Sequence, residues 1–155
     1  MMEQSASAYL YPKRIIISTR ICDEYGSTWT ETDCLFILPI DISDAALGVV
    51  VLRHLSLSEI PKLSIDERWD IRNRFKALGN FKTEGQVMKD SKLVFIVLGS
   101  NQLRFQPTNN KYSEVRRHYY EYKAMPKANF KLAYPIETEL IGAALRKAWK
   151  ASKIT

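Results

Sequence analysis

The sequence predicts an α+β domain: a β-sheet built around one hairpin, with α-helices packed against it. Three observations predict it. Residues 93–98 are Leu, Val, Phe, Ile, Val and Leu, an apolar run too short for a comfortable helix. Its branched and aromatic side chains suit a strand buried on both faces. The turn residues Gly99-Ser100-Asn101-Gln102 follow, and then Leu103, Phe105 and Pro107 alternate with Arg104 and Gln106. A second strand therefore returns with one face in the core and one in water. Elsewhere the apolar spacing changes to the helical period, in residues 41–58, 65–78 and 139–153.

Taken in order, residues 15–21 are β-branched and form the first expected strand. Residues 23–29 read as a loop, with Gly26 available for a positive φ angle. Residues 35–40 form a buried strand whose Pro39 places its end at an edge or bulge. Leu47, Val51 and Leu55 then mark one face of a helix behind a cap at Asp41 or Ser43, and Pro61 ends that element. Ile65, Trp69, Ile71, Phe75 and Leu78 recur at helical spacing before the stop signal Gly79-Asn80. Residues 81–88 read as a weaker strand leading into the hairpin. Pro107 donates no backbone hydrogen bond, so pairing is expected to stop there. Thr108, Asn109, Asn110 and Lys111 then form a polar loop at the sheet margin. Residues 116–122 mix charge and aromatics without a firm period and fit either a loop or an edge strand. Residues 130–134 are a last short strand. Residues 139–153 are an amphipathic helix with Ile141, Leu145 and Trp149 inward and cations at its end, where they suit the helix dipole.

An internal echo relates two of the helices. Ile42-Ser43-Asp44-Ala45-Ala46-Leu47-Gly48 resembles Ile136-Glu137-Thr138-Glu139-Leu140-Ile141-Gly142. A glycine inside a helix costs about 1 kcal/mol against alanine, so two at matching positions want a reason. Close packing against the missing side chains is that reason, and both helices are expected on the same sheet.

The chain of 155 residues is 46% hydrophobic and 26% charged, the composition of one globular domain spanning 1–155. No apolar run approaches the roughly 20 residues that span a bilayer, and the first residues carry neither a basic start nor an apolar signal core. The expected compartment is the cytoplasm, and Cys22 and Cys34 are expected as free thiols. The net charge of +6 is uneven: residues 1–70 carry 6 Lys/Arg against 11 Asp/Glu, and residues 71–155 carry 17 against 6. Such polarity fits charged partners, or simply a basic solvated surface.

Reactive motifs are missing. His54 and His118 stand apart, there is no paired-cysteine motif, and Gly79, Gly85 and Gly99 are isolated, so neither a metal site nor a phosphate loop is expected. No enzyme activity and no cofactor are expected. His54 reads as structural or solvent-facing, and His118 lacks a second acid/base partner. Two segments do fit binding. Asp23, Glu24 and Tyr25, with Trp29, Glu31 and Asp33, place carboxylates beside aromatic anchors in an expected exposed loop. Residues 111–123 interleave cations with four tyrosines, which fits stacking on single-stranded RNA, or a twisted edge strand whose tyrosines cover the sheet.

Gln106-Pro107-Thr108-Asn109-Asn110-Lys111 after a buried strand, preceded by Gly79-Asn80-Phe81-Lys82-Thr83 and joined by the two glycine-bearing helix starts, resembles the contact-dependent growth inhibition (CDI) immunity proteins. The likeness spans residues 15–152. It implies a largely antiparallel sheet with helices packed on it, in agreement with the reading above. It further implies a cytoplasmic antitoxin that binds the C-terminal toxin domain delivered by neighbouring bacteria, often an RNase and in several relatives one of the EndoU type. Such a protein does no chemistry; it occludes or distorts the nuclease. Nuclease inhibitors often present acid to a basic cleft, so Asp23, Glu24, Tyr25, Trp29, Glu31 and Asp33 are the first candidate toxin contacts. Asn109, Asn110, Lys111, Arg116, Arg117 and Tyr119 are the second. An RNA-binding module built on residues 111–123 is the rival reading.

Overall fold

The strand that holds the middle of the sheet is one the apolar pattern hides. In the computed structural model, which describes residues 3–22, 29–59, 64–113 and 119–155, β1 spans Gln4–Leu10 and pairs with two neighbours. They are β2 (Ile15–Cys22) and β4 (Lys92–Leu98). The other strands are β3 (Trp29–Leu38), β5 (Gln102–Ser113), β6 (Tyr119–Ala124), β7 (Phe130–Ala133) and β8 (Lys153–Ile154). Four helices join them: α1 (Asp44–Ser56), α2 (Ile65–Leu78), α3 (Glu84–Met88) and α4 (Thr138–Ala151). The sheet runs β3-β2-β1-β4-β5-β6, with β7 and β8 also paired to β5. Every pairing is antiparallel except β5 with β8. The α+β class expected from the sequence is the one observed.

Alternation along the inner strands sends successive side chains to two unlike layers. On one face Ala6, Ala8, Ile15, Ile17, Val94, Ile96, Leu103 and Phe105 meet Leu47, Val51 and Leu55 of α1 and Ile141, Leu145 and Trp149 of α4. On the other, Tyr9, Tyr11, Ile16 and Leu93 meet Phe75 of α2 and Val87 of α3. The first layer is apolar, mostly aliphatic with the rings of Phe105 and Trp149 among them. The second is aromatic and hydroxylated, and it carries the charges described below.

The helix echo has the structural cause expected of it. A Cβ on Gly48 would lie 1.9 Å from the carbonyl oxygen of Thr138, and one on Gly142 would lie 1.9 Å from that of Asp44. Each helix thus rests the start of its partner on its own glycine, so α1 and α4 run antiparallel at backbone contact. Ser43 caps α1 by accepting from the amide of Ala46. Arg146 of α4 reaches back to the Asp44 carboxylate at 2.8 Å and to the carbonyl of Ile42. The indole N–H of Trp149 donates to the carbonyl of Ala8 at 3.1 Å and fixes α4 on the central strand.

Several expectations are corrected. Residues 29–33 are not a loop; they open β3, the edge strand, which Pro39 closes as its position implied. Residues 81–88 are not a strand. Thr83 caps the short helix α3 by accepting from the amide of Gln86, and Val87 is drawn into the core. Pairing does not end at Pro107. Pro107 is the last β5 residue paired with β4, opposite Val94, and the Thr108 hydroxyl then takes the carbonyl of Leu93 at 2.6 Å. Residues 108–113 continue as strand because β6 supplies a new partner, and β8 pairs alongside at Asn109 and Asn110. The apolar residues at helical spacing in α2 divide: Trp69 and Leu78 are 66% and 55% exposed, while Phe75 is fully buried. At about 100° per residue Trp69 stands some 120° around the helix from Phe75, so the apolar positions of α2 occupy two faces.

His54 is structural rather than solvent-facing. The Thr19 hydroxyl donates to the His54 carbonyl at 2.9 Å, so the ring's Nδ1–H must donate to Thr19 Oγ1, also 2.9 Å away. The edge of the Phe36 ring closes over it at a centroid distance of 5.0 Å, and Cys34 and Cys22 are free thiols. Burial first, and the nearby charge of Arg53 second, push the His54 imidazole down to about 4. A histidine held neutral in the fold contributes stability that is complete above its unfolded value near 6.5 and is lost as pH falls toward 4. His54 should therefore weaken resistance to urea by about one proton's slope per pH unit between those limits, and His54→Gln should abolish the slope above about pH 5, below which carboxylates such as Glu31 add their own. The glycine contacts give a second test. Gly48→Ala or Gly142→Ala should lower unfolding free energy by about 3 kcal/mol or more, because the obstructing atoms are backbone.

Candidate functional site

Two of the acids singled out from the sequence, Glu31 and Asp33, meet arginines of α2. α2 lies along β3, and its polar composition places Arg68, Arg72 and Arg74 toward the strand. Arg68 Nε donates to Thr30 Oγ1 at 3.1 Å, and Arg74 Nε donates to Asp33 Oδ2 at 2.8 Å. Arg72 reaches Glu31 Oε2 at 3.3 Å and clasps both Glu84 oxygens at 2.9 and 2.7 Å. α2 can hold this line because its first turn is fixed: Ser64 and Glu67 form a reciprocal capping box.

Glu31 is the hub. Its Oε1 accepts from Ser7 Oγ at 2.9 Å and from the Tyr9 hydroxyl at 2.8 Å, while Arg72 binds Oε2. Burial opposes ionisation of Glu31, but the charges of Arg72 and Arg20 and the Tyr9 hydrogen bond outweigh it, so its carboxyl is held below the usual range. Arg20 pairs in register with Glu31 across β2 and β3. Its guanidinium lies 4.0 Å from the Phe95 ring centroid and 5.7 Å from that of Trp29. Burial, followed by the charge of Glu31, raises the Tyr9 phenol well above its ordinary value, so this hydroxyl stays protonated and donating. A carboxylate saturated by three donors is a weak base and serves as a fixed internal charge.

Above the hub lies a surface cleft of about 480 Å³, lined by Trp29, Thr30, Glu31, Arg68, Trp69, Arg72 and Glu84. Trp29 forms its β3 side and Trp69 its α2 side. Trp29 is half-buried, its ring centroid 5.7 Å from the Arg20 guanidinium; Trp69 is the most exposed large apolar side chain among the described residues. No group of three or more His, Cys, Asp and Glu among the described residues is placed to hold a metal ion.

A model of the CDI immunity proteins matches residues 4–152. The chain belongs to the CDI immunity protein family. Two solved structures share its fold. A protein of unknown function from Neisseria meningitidis aligns at 22% identity and TM-score 0.73, covering 98% of this chain and 96% of that one. A CdiA-CT/CdiI toxin and immunity complex from Yersinia pseudotuberculosis aligns at 20% identity and TM-score 0.74, covering 99% of each chain. Identities this low show the fold alone. Among curated proteins none matches the chain.

In this CDI immunity protein the first set of candidate contacts is divided. Asp23, Glu24 and Tyr25 lie outside the described residues. Trp29 faces the cleft, Glu31 is only 15% exposed and faces inward, and Asp33 is an exposed partner of Arg74. The second set is divided too. Asn110 is buried, and its amide donates to the carbonyls of Met88 and Ser91. Asn109 accepts from the Thr155 hydroxyl at 3.0 Å, and Lys111 is exposed opposite Glu121. Arg116 and Arg117 lie outside the described residues, and Tyr119 pairs through its backbone with Ser113 at the start of β6. Tyr122 turns inward, its hydroxyl against that of Ser91 and its ring edge-on to Tyr9, so this tyrosine covers the sheet. Sequence reasoning missed Trp69. The signal was present, since a helix whose apolar positions fall on two faces leaves one of them without a core.

Glu31→Gln should lower unfolding free energy by about 2 kcal/mol. That is less than the roughly 3–5 kcal/mol of a fully buried pair losing one charge, because Arg72 keeps Glu84. Chemical denaturation of the two proteins measures it.

Proposed function

We propose that the chain is a cytoplasmic immunity protein that binds and neutralises the C-terminal toxin domain of its cognate CDI system, and that this toxin is a nuclease, in the first instance an RNase of the EndoU type. Membership of the CDI immunity family across residues 4–152 carries this reading. The charge pattern supports the nuclease class. Enzymes that cut nucleic acid present cationic clefts, and an inhibitor gains association rate and specificity by offering them carboxylates. The acidic half of this chain does so through residues 23–33, where Asp23, Glu24, Tyr25, Trp29 and Asp33 are the proposed contacts and Glu31, turned inward, supports them. Glu31 acts there as the internal charge that orients Arg72 and the strand, and Trp29 offers its ring to the cleft. Neutralisation is steric and electrostatic, with no covalent change in either protein.

Cells induced to make the toxin domain encoded immediately upstream should survive when this chain is co-expressed and stop growing when it is not. An equimolar amount of the purified chain should abolish RNA cleavage by that toxin in vitro. Growth arrest despite co-expression removes the immunity reading. Protection against a toxin that leaves RNA intact removes the RNase assignment and keeps immunity.

A further inference from the structure

We propose that the outward face of α2, centred on Trp69, is the surface on which a cationic face of the toxin docks. This inference rests on the toxin-neutralising reading above and names the partner's chemistry at that site. The first observation is Trp69 itself. It is 66% exposed on a well-capped helix, and it borders the cleft shared with the Trp29 side of β3. A large ring so placed contributes nothing to the core, yet tryptophans are the side chains that most often anchor an interface.

The second observation is charge. Asp66 and Asp70 stand on either side of Trp69 in the sequence and are exposed as it is. Asp66 and Asp70 have no ion-pair partner among the described residues. Acids in a first turn suit the helix dipole, which accounts for Asp66 and Glu67. It accounts neither for Asp70 nor for the ring between them. The two cations lining the cleft are engaged, Arg72 by Glu31 and Glu84 and Arg68 by the Thr30 hydroxyl, and farther along α2 Arg74 is paired with Asp33 and Lys76 with Glu84 at 3.4 Å. A chain of net charge +6 thus turns an acidic aromatic face outward here. Its complement is a surface bearing arginine or lysine, with one cation stacked on the Trp69 ring and others facing Asp66 and Asp70.

The test uses the purified chain and a catalytically silent form of the upstream toxin domain, followed by surface plasmon resonance across a salt series. Trp69→Ala should weaken binding about thirtyfold or more, the scale of an interface anchor. The double variant Asp66→Asn/Asp70→Asn should slow association about fivefold and flatten its salt dependence. Leu140→Ala, exposed on α4 on the opposite layer, should bind as wild type does. Thermal melts by circular dichroism should be unchanged for Trp69→Ala and Leu140→Ala, whose side chains are exposed, and lowered by only a few degrees for the double variant, which loses the dipole contribution of Asp66. Wild-type binding with Trp69→Ala and the double variant indistinguishable from it overturns this surface and leaves the immunity function standing. Absence of wild-type binding overturns the function itself.

Discussion

Backbone contact between α1 and α4 is the constraint on which the rest of the structure depends. Two carbonyl oxygens, of Thr138 and Asp44, occupy the space where Gly48 and Gly142 would otherwise carry side chains. That approach lets both helices lie flat on one sheet face, with Trp149 bonded to the central strand. With one face sealed by apolar packing, the fold can give the other a layer of tyrosines, serines and charges. The price of that layer is desolvation of Glu31 and Arg72, offset by mutual pairing and by the hydroxyls of Ser7 and Tyr9. The layer is therefore rigid in its interior and chemically varied at its rim.

Legibility in the sequence followed the strength of periodicity. The hairpin of β4 and β5, the inward faces of α1 and α4, and the glycine contact between them could all be read, because long apolar repeats and a paired helix breaker leave few alternatives. β1 could not. Its Gln-Ser-Ala-Ser-Ala-Tyr-Leu alternates small residues that carry almost no hydrophobic signal, yet smallness is what lets α1, α4 and the flanking strands approach. α3 was misread because five residues hold too little pattern to separate a turn of helix from a short strand. The continuation of β5 past Pro107 depended on β6 and β8, partners distant in sequence, and no local rule announces them.

For the candidate site the residue types were legible and their orientation was not. Carboxylates and aromatic rings were found at residues 29–33, but strand alternation and the arginines of α2 decide which of them face out. Glu31 turns in and becomes an organiser; Trp29 turns to the cleft. The ring that stands free, Trp69, was read only as one of five apolar residues at helical spacing, because its spacing was counted and its angle was not. Placement on α2 also explains how a basic protein presents acid: the strand's carboxylates are neutralised from above, and those on the helix's outer side are left uncompensated.

The three tryptophans of the chain consequently report from three different surroundings. Trp149 sits in the apolar layer with its indole N–H bonded to a carbonyl, Trp29 lies near a guanidinium at half burial, and Trp69 stands in water. Their emission maxima and quenching by iodide are thereby separated within one molecule. Intrinsic fluorescence can follow the integrity of the interior and the fate of the α2 surface at the same time, without a label.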